Sequence, residues 1–262
     1  MLRESRKWFR PLARAGYAAR GLIYLVIGIF AALAAIGSGE AMGSRDALQV
    51  LLSSGAGTAI AYALIAGFAF YALWRFIQAG FDTDSHGTGA KGIAIRAGLV
   101  VSGFTYAALA SYTWALSHGG NGGDGGGGWA DTLAGFVGSR WVAAGLALAL
   151  AGAGISHIVK ALREKYARYI DADEQLMKVI HPVAKTGLIA RGLVFLVLAF
   201  LLATRSVMGG EQASSKAALQ FIQGLPMGWL LLTLMGLGLI AFAGYSFAEA
   251  VYRRINVEDA RV

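Results

Sequence analysis

Residues 14–24 read RAGYAARGLIY and residues 185–195 read KTGLIARGLVF. At an offset of 171 residues Arg14 meets Lys185, Gly16 meets Gly187, Arg20 meets Arg191, Gly21 meets Gly192 and Tyr24 meets Phe195. The register continues without a gap. Gly39 and Glu40 fall on Gly210 and Glu211, Ser44 on Ser215, Arg45 on Lys216, Ala47-Leu48-Gln49 on Ala218-Leu219-Gln220, Gly57 on Gly228 and Ala79 on Ala250. So long a run at one offset is an internal repeat. A middle copy matches at offsets of 82 and then 89, with Arg96, Gly98, Gly103 and Tyr106 at the corresponding helix start. Its Asp131-Thr132-Leu133 needs a three-residue insertion, which the preceding glycine tract supplies.

What each copy contains follows from composition. The 262 residues are 56% hydrophobic and 15% charged, with 37 glycines, three prolines and no cysteine. A soluble domain averages about 45–50% apolar and about 25% charged, so this chain lacks the polar surface to face water all round. The missing cysteines exclude disulfides, thiolate metal sites and a cysteine nucleophile. Crossing a bilayer takes roughly 20 helical residues. Charge-free stretches of that order run over 21–39, 47–74, 97–123, 141–159 and 217–248. A sixth, 192–204, lies between Arg191 and Arg205 and holds 13 residues. At 1.5 Å per residue it covers roughly 20 Å of a core about 30 Å thick, so one of those arginines is expected at membrane depth, snorkelling outward.

Each copy is therefore read as one helical hairpin, and two spans per copy return the chain to the same side. The expected fold is all-α: six transmembrane helices as three parallel hairpins around a pseudo-threefold axis. The copies are 1–90 (spans about 17–37 and 56–77), 91–181 (about 95–116 and 141–162) and 182–262 (about 186–205 and 228–250), in one compact membrane domain. Whether the axis is a pore or packed solid is left open.

Orientation follows from the cations. The arm through Arg20, the 75–96 and 160–191 links and the tail from Arg253 hold 19 of the 23 lysines and arginines, and the alternate loops hold only Arg45, Arg140, Arg205 and Lys216. Both termini are predicted cytoplasmic, and the net charge of +8 is an orientation signal before it is a ligand signal. The arm before the first span is not read as a cleaved signal, because the apolar stretch that follows is of spanning length.

Several of these elements carry a resemblance: the run Ala13 to Gly21 before an apolar helix, Ala190-Arg191-Gly192, the Ala-Leu-Gln elements at 47–49 and 218–220, Tyr71-Ala72-Leu73-Trp74-Arg75, and Gly244-Tyr245-Ser246 leading to Tyr252-Arg253-Arg254-Ile255. Over nearly the whole chain this resembles a bacterial family of three-repeat, six-helix membrane proteins catalogued as a domain of unknown function. The resemblance implies the architecture and a bacterial inner membrane, and no activity. In the middle copy the arginine–glycine pair is Ser102-Gly103.

Two constellations are candidates for chemistry. The first is a basic vestibule at the starts of the odd helices, Arg14, Arg20, Arg96, Lys185 and Arg191, beside glycines that allow close approach of a phosphate or carboxylate. Topology anchoring and contact with lipid phosphates explain the same cations. The second is a polar layer at the ends of the even helices, where the register aligns Arg75, His157 and Ser246 and, one turn on, Gln78, Lys160 and Glu249. Glu249 is its single carboxylate, with Arg75, Lys160 or a vestibule arginine as partner. An intramembrane ionisable group is a functional hypothesis by default, and a structural ion-pair layer is the alternative.

Other features point to structure. His157 on an apolar helix suits a proton relay or a hydrogen-bonded packing role, and His86, His118 and His181 fall in or near loops, so no bis-histidine site presents itself. Neither a zinc-protease helix, nor a nucleophile elbow, nor a Walker loop occurs. Gly119 to Gly128 matches a calcium-binding β-roll repeat once and reads as a flexible outer loop. Glu40 and Glu211 mark loop structure. Trp8, Trp74, Trp114, Trp129, Trp141 and Trp229 read as interface anchors. The link from Lys160 to Lys185 reads as an amphipathic surface helix over 162–170, with Pro182 stopping or redirecting the chain.

The chain is thus expected to be non-enzymatic, without cofactor or metal: a membrane bundle that binds anionic lipid or a protein partner in an accessory or scaffold role, with no nucleic-acid partner. An anion-preferring transporter or channel on the pseudo-threefold axis is the alternative.

Overall fold

The computed structural model describes residues 2–37, 41–42, 44–53, 55, 57–83, 87–119, 139–208 and 215–254. Among them the protein is all-α, with eight helices: α1 (Leu2–Ala35), α2 (Ser44–Leu52), α3 (Gly57–Phe81), α4 (Ala90–Ser117), α5 (Ser139–Leu162), α6 (Glu174–Met208), α7 (Ser215–Gln223) and α8 (Gly228–Tyr252). Six segments are long and apolar enough to cross a membrane: Ala13–Ala35, Gly57–Phe81, Gly92–Ser117, Ala144–Leu162, Glu174–Thr204 and Gly228–Tyr252. The molecule is a multi-pass membrane protein.

The 171-residue offset reappears in three dimensions. It carries both ends of α2 onto those of α7 and both ends of α3 onto those of α8. The turn between the short helix and the following span is equally tight in both copies. A Cβ on Gly57 would lie 1.9 Å from the Leu52 carbonyl oxygen, and one on Gly228 would lie 2.0 Å from that of Gln223. Glycine is required at both places because backbone occupies the space. Farther along, a Cβ on Gly16 would meet Tyr71 and one on Gly187 would meet Phe242, each at 2.4 Å. Gly67 against Ala19 and Gly238 against Ala190 repeat the correspondence. Small residues let these helices approach closely, which is how spans associate where lipid removes the hydrophobic drive.

Packing divides the chain into two compact units. The first comprises Met1–Arg20, Leu51–Gly126 and Phe247–Val262. In it α3 packs along α4, and Tyr17, Phe68, Tyr71, Trp74 and Tyr106 are buried. Gly103 of α4 faces Phe76 of α3. The second unit comprises Gly21–Val50 and Gly127–Ser246. Here α6 packs along α5, α7 folds back on α6 through Phe200 and Phe221, and Leu188, Leu232, Phe242 and Tyr245 are buried. Gly192 of α6 faces Ile158 of α5, repeating the Gly103 contact one copy later. The second half of α1 lies against α8, with Gly28 and Gly236 at the contact.

Four expectations are corrected. The connections from α1 to α3 and from α6 to α8 contain helices, α2 and α7, whose Ala47, Leu48, Ala218 and Leu219 are fully buried. No amphipathic α-helix runs over 162–170, where only a single 3-10 turn, Ala167–Tyr169, forms. The chain leaves α5 at Leu162, Glu164 adopts φ 49°, and Lys165 N–H bonds back to the Lys160 carbonyl, a Schellman-type stop with glutamate where glycine is usual. Pro182 does not stop the chain; it lies inside α6. Burial of Ile180, Ala184 and Leu188 on one face holds the helix through the missing hydrogen bond. Trp74 is buried, so it packs the core and anchors nothing at an interface, whereas Trp114 and Trp229 are exposed. The side chains of Trp8, Trp129, Trp141 and Arg205, together with Glu40, Glu211, His86 and the glycine tract beyond Gly119, lie outside the described residues.

Candidate functional site

In the first unit the buried Arg20, Glu249 and Arg253 converge with the half-buried Arg75. Arg20, one turn after Gly16 on α1, forms an ion pair with Glu249 of α8. Its other terminal nitrogen donates to the Tyr71 hydroxyl at 2.7 Å. Arg253, one turn beyond Glu249, pairs with the second carboxylate oxygen. Arg75 donates to the Tyr71 hydroxyl and, at 3.1 Å, to Oε1 of Gln78. Aromatic faces complete the lining. Arg20 lies 5.0 Å and Arg253 5.1 Å from the centre of the Tyr17 ring, and Arg75 4.6 Å from that of Tyr71. Tyr71 is edge-on to both Tyr17 and Tyr106.

Electrostatics explain the composition of the cluster. Glu249, Arg20 and Arg253 are all buried, so a lone charge there would be costly and a paired one is held firmly. Among the described residues Arg20 and Arg253 share the Glu249 carboxylate, and ring faces also attract the guanidinium charges. The Tyr17 hydroxyl and Arg75 Nε are buried without a hydrogen-bond partner among the described residues.

The second unit holds the third-copy counterpart. Arg191 is 9% exposed, and its guanidinium carbon lies 4.9, 4.9 and 4.6 Å from the ring centres of Tyr24, Phe195 and Phe242. It does not snorkel, because these three rings enclose it within the protein. Its Nε is buried without a hydrogen-bond partner among the described residues. On α5, His157 Nδ1 donates to the Ala153 carbonyl at 2.7 Å and its ring is edge-on to Phe195. Lys160 donates to the Tyr245 hydroxyl at 3.1 Å, and Ser246 Oγ donates to the Phe242 carbonyl at 2.8 Å.

The remaining vestibule residues do separate things. Arg14 is exposed. Arg96 donates from Nε to the Ala79 carbonyl at 2.6 Å and from Nη2 to that of Gly80 at 3.0 Å, so it caps the end of α3. Arg96 and Phe76 also line a shallow pocket of about 400 Å³. Lys185 lies 3.8 Å from Glu164. Thus the structure joins Arg20 of the vestibule to Glu249 of the polar layer, and sets Arg75 and Gln78 beside the same Tyr71. Among the described residues no group of three histidine, aspartate and glutamate side chains is placed to hold a metal.

Comparison with known proteins gives the same two-copy division. A family model described as a domain of unknown function, DUF1206, matches residues 15–82 and again 186–253, spans separated by the same 171 residues at both ends. The chain belongs to the DUF1206 family. It is also 26% identical over 267 residues to an uncharacterized protein, YxxB, of Bacillus subtilis (strain 168), covering 97% of this chain and 95% of that protein. No solved structure matches. The two family segments contain Arg20, Tyr71, Arg75 and Gln78 in the first and Arg191, Phe242, Glu249 and Arg253 in the second, while His157 and Lys160 lie outside both.

Three cluster residues, Tyr17, Tyr71 and Arg253, stand in the quoted motifs but not among the candidate site residues read from the sequence. Spacing holds a signal for each. Tyr71 and Arg75 stand four residues apart, as do Glu249 and Arg253, so each pair shares a helix face. Tyr17 lies three residues before Arg20.

Proposed function

We propose that this DUF1206 protein is a non-enzymatic bundle of three hairpins about a pseudo-threefold axis in the bacterial cytoplasmic membrane. Its termini lie inside, and it binds anionic lipid in an accessory or scaffold role. The observation that supports this best is the surface at the end of α5 and the start of α6. Leu162 is 60% and Val179 62% exposed, each adjacent in sequence to an exposed cation, Arg163 and Lys178. An exposed apolar side chain beside a cation at each of two places suits the headgroup region of an anionic leaflet, where each cation contributes about 1 kcal/mol.

The full chain in nanodiscs of mixed phosphatidylglycerol and phosphatidylcholine tests this, with the retained lipid read by native mass spectrometry. Phosphatidylglycerol is expected to be enriched, and the Arg163→Ser/Lys178→Ser variant is expected to lose about thirtyfold of that preference. Equal retention of the two lipids overturns the proposal, and robust anion flux through reconstituted liposomes replaces it with transport. Orientation has its own test, which the cysteine-free chain makes simple. Thr88→Cys and Ser117→Cys bracket α4, and in intact cells an impermeant maleimide is expected to label only the latter.

A further inference from the structure

The shallow pocket beside Arg96 is a groove between α3 and α4, about 400 Å³ in volume and within the first unit. Phe76, Ala79 and Gly80 line it from α3, and Ile93, Ala97 and Val100 from α4, with Arg96 as the charged residue among them. Its shape follows from the absence of a side chain at Gly103. A Cβ there would lie 2.7 Å from the Phe76 ring, so glycine lets that ring rest on α4, where Phe104 meets it edge-on at 5.2 Å. Ile93, Val100 and Phe104 are exposed and stand seven and four residues apart, on one side of α4. From Ile93 to Val100 the groove runs two helical turns, about 10 Å. Such a trough suits a hydrocarbon chain laid along the helix, and without a polar group it would accept any lipid.

Arg96 supplies the polar group. Two of its three guanidinium nitrogens are engaged, Nε with the Ala79 carbonyl and Nη2 with that of Gly80. Among the described residues its Nη1 makes no hydrogen bond and its charge no ion pair. The third copy solves the same position differently. Arg96 corresponds to Lys185 and Asp82 to Glu164, and Asp82 and Glu164 share an unusual backbone at φ 48° and 49°. Glu164 lies 3.8 Å from Lys185, whereas Asp82 accepts the Gly87 N–H at 2.7 Å and forms no ion pair with Arg96. The middle copy thus keeps a cation without an acid, at the edge of an open apolar groove. Two backbone bonds already hold this guanidinium, so little freedom is lost when it takes a third partner. A ligand that satisfies both features has a hydrocarbon chain and, at its end, an anion with acceptor oxygens. The phosphate of a phospholipid is such an anion. A zwitterionic headgroup would bring its own cation beside Arg96, so a headgroup of net negative charge fits best.

We propose that the α3–α4 groove binds one phospholipid of net negative charge, with an acyl chain along Phe76, Ile93 and Val100 and the phosphate held by Arg96 Nη1. The proposal rests on the lipid-binding function proposed above and adds a site that uses neither Arg163 nor Lys178.

Because the chain has no cysteine, a fluorescent reporter can be placed at one position. Ile93→Cys in the full chain carries bimane at the groove, and Leu148→Cys, at a 75% exposed position of α5, carries it on an ordinary apolar face. Both proteins are reconstituted in phosphatidylcholine, and phosphatidylglycerol with brominated acyl chains is titrated in as quencher. Half-quenching of Ile93→Cys is expected at about a tenfold lower mole fraction than that of Leu148→Cys. Brominated phosphatidylcholine is expected to quench the two positions alike. Arg96→Gln is expected to remove the tenfold difference. Ala97→Phe, which fills the groove from an exposed position, is expected to do the same and decides the matter if Arg96→Gln does not fold. Arg163→Ser/Lys178→Ser is expected to keep the difference even where it lowers lipid enrichment in nanodiscs, so the groove and the surface fail separately. Equal half-quenching of the two positions by brominated phosphatidylglycerol overturns the proposal. So does a difference that persists in Arg96→Gln or Ala97→Phe, or one that brominated phosphatidylcholine reproduces.

Discussion

Replacing Glu249 by glutamine keeps the shape of the side chain and removes its charge. Arg20, Arg253 and Glu249 are 4%, 9% and 2% exposed, so water cannot replace what the carboxylate supplies. Two guanidinium groups are left buried without their shared counter-ion. Breaking a buried pair by removing one partner costs about 3–5 kcal/mol. With about 2–4 °C of Tm per kcal/mol for a chain of this size, the Tm in detergent falls by on the order of 10 °C. The double variant Arg20→Gln/Glu249→Gln recovers part of this loss, because one stranded cation is removed with the anion, and the coupling is on the order of 2 kcal/mol. Scanning fluorimetry of the four proteins of the cycle measures both quantities. Burial also predicts that moderate salt changes the wild-type Tm little, since screening acts chiefly on exposed pairs. A Glu249→Gln protein within about 2 °C of wild type, or additive single losses, would refute the assignment of this carboxylate as the electrostatic centre of the cluster.

Further predictions concern packing and pH. Gly187→Ala places a Cβ 2.4 Å from the backbone nitrogen and Cα of Phe242, so the helices must separate. About 2–3 kcal/mol of stability is expected to be lost. Gly152→Ala on α5 meets nothing within 4 Å and is expected to be neutral or to gain up to about 1 kcal/mol from helix propensity. Thermal melts of the two variants check the contrast. Outside the spans, burial and then the nearby Glu164 push the Tyr166 hydroxyl up to about 12, and it bonds the His181 carbonyl and ring. An unfolded tyrosine ionises near 10. The folded state therefore holds this proton more tightly, and its contribution is complete below about pH 10 and disappears as pH rises towards 12. Stability against alkaline unfolding is expected to fall by about 2 kcal/mol across that window, and Tyr166→Phe is expected to flatten the slope.

How much of this was readable before folding depends on the range of each interaction. The spans and the offset between Gly16 and Gly187 are local or repeated features, and their signal lies along the chain. The helices α2 and α7 carry the aligned Ala-Leu-Gln element, but their shortness hid them between longer apolar runs. Pro182 and Glu164 mislead because tertiary burial and a strained cap override the usual preferences of proline and glycine. Trp74 looks like an anchor by its place near a helix end, while its exposure depends on what packs beside it.

The sequence by itself determined that the chain crosses a membrane six times, that it is built from copied hairpins, and which positions in the copies correspond. These properties depend only on apolar length, spacing and similarity. Tertiary structure decided what the corresponding arginines do. Arg20 reaches a carboxylate 229 residues away, and Arg191, in the same motif, lies among three aromatic rings. The physical reason is that the partner of a buried cation is supplied by whatever packs against it, and α8 offers the Glu249 carboxylate to Arg20 and the Phe242 ring to Arg191.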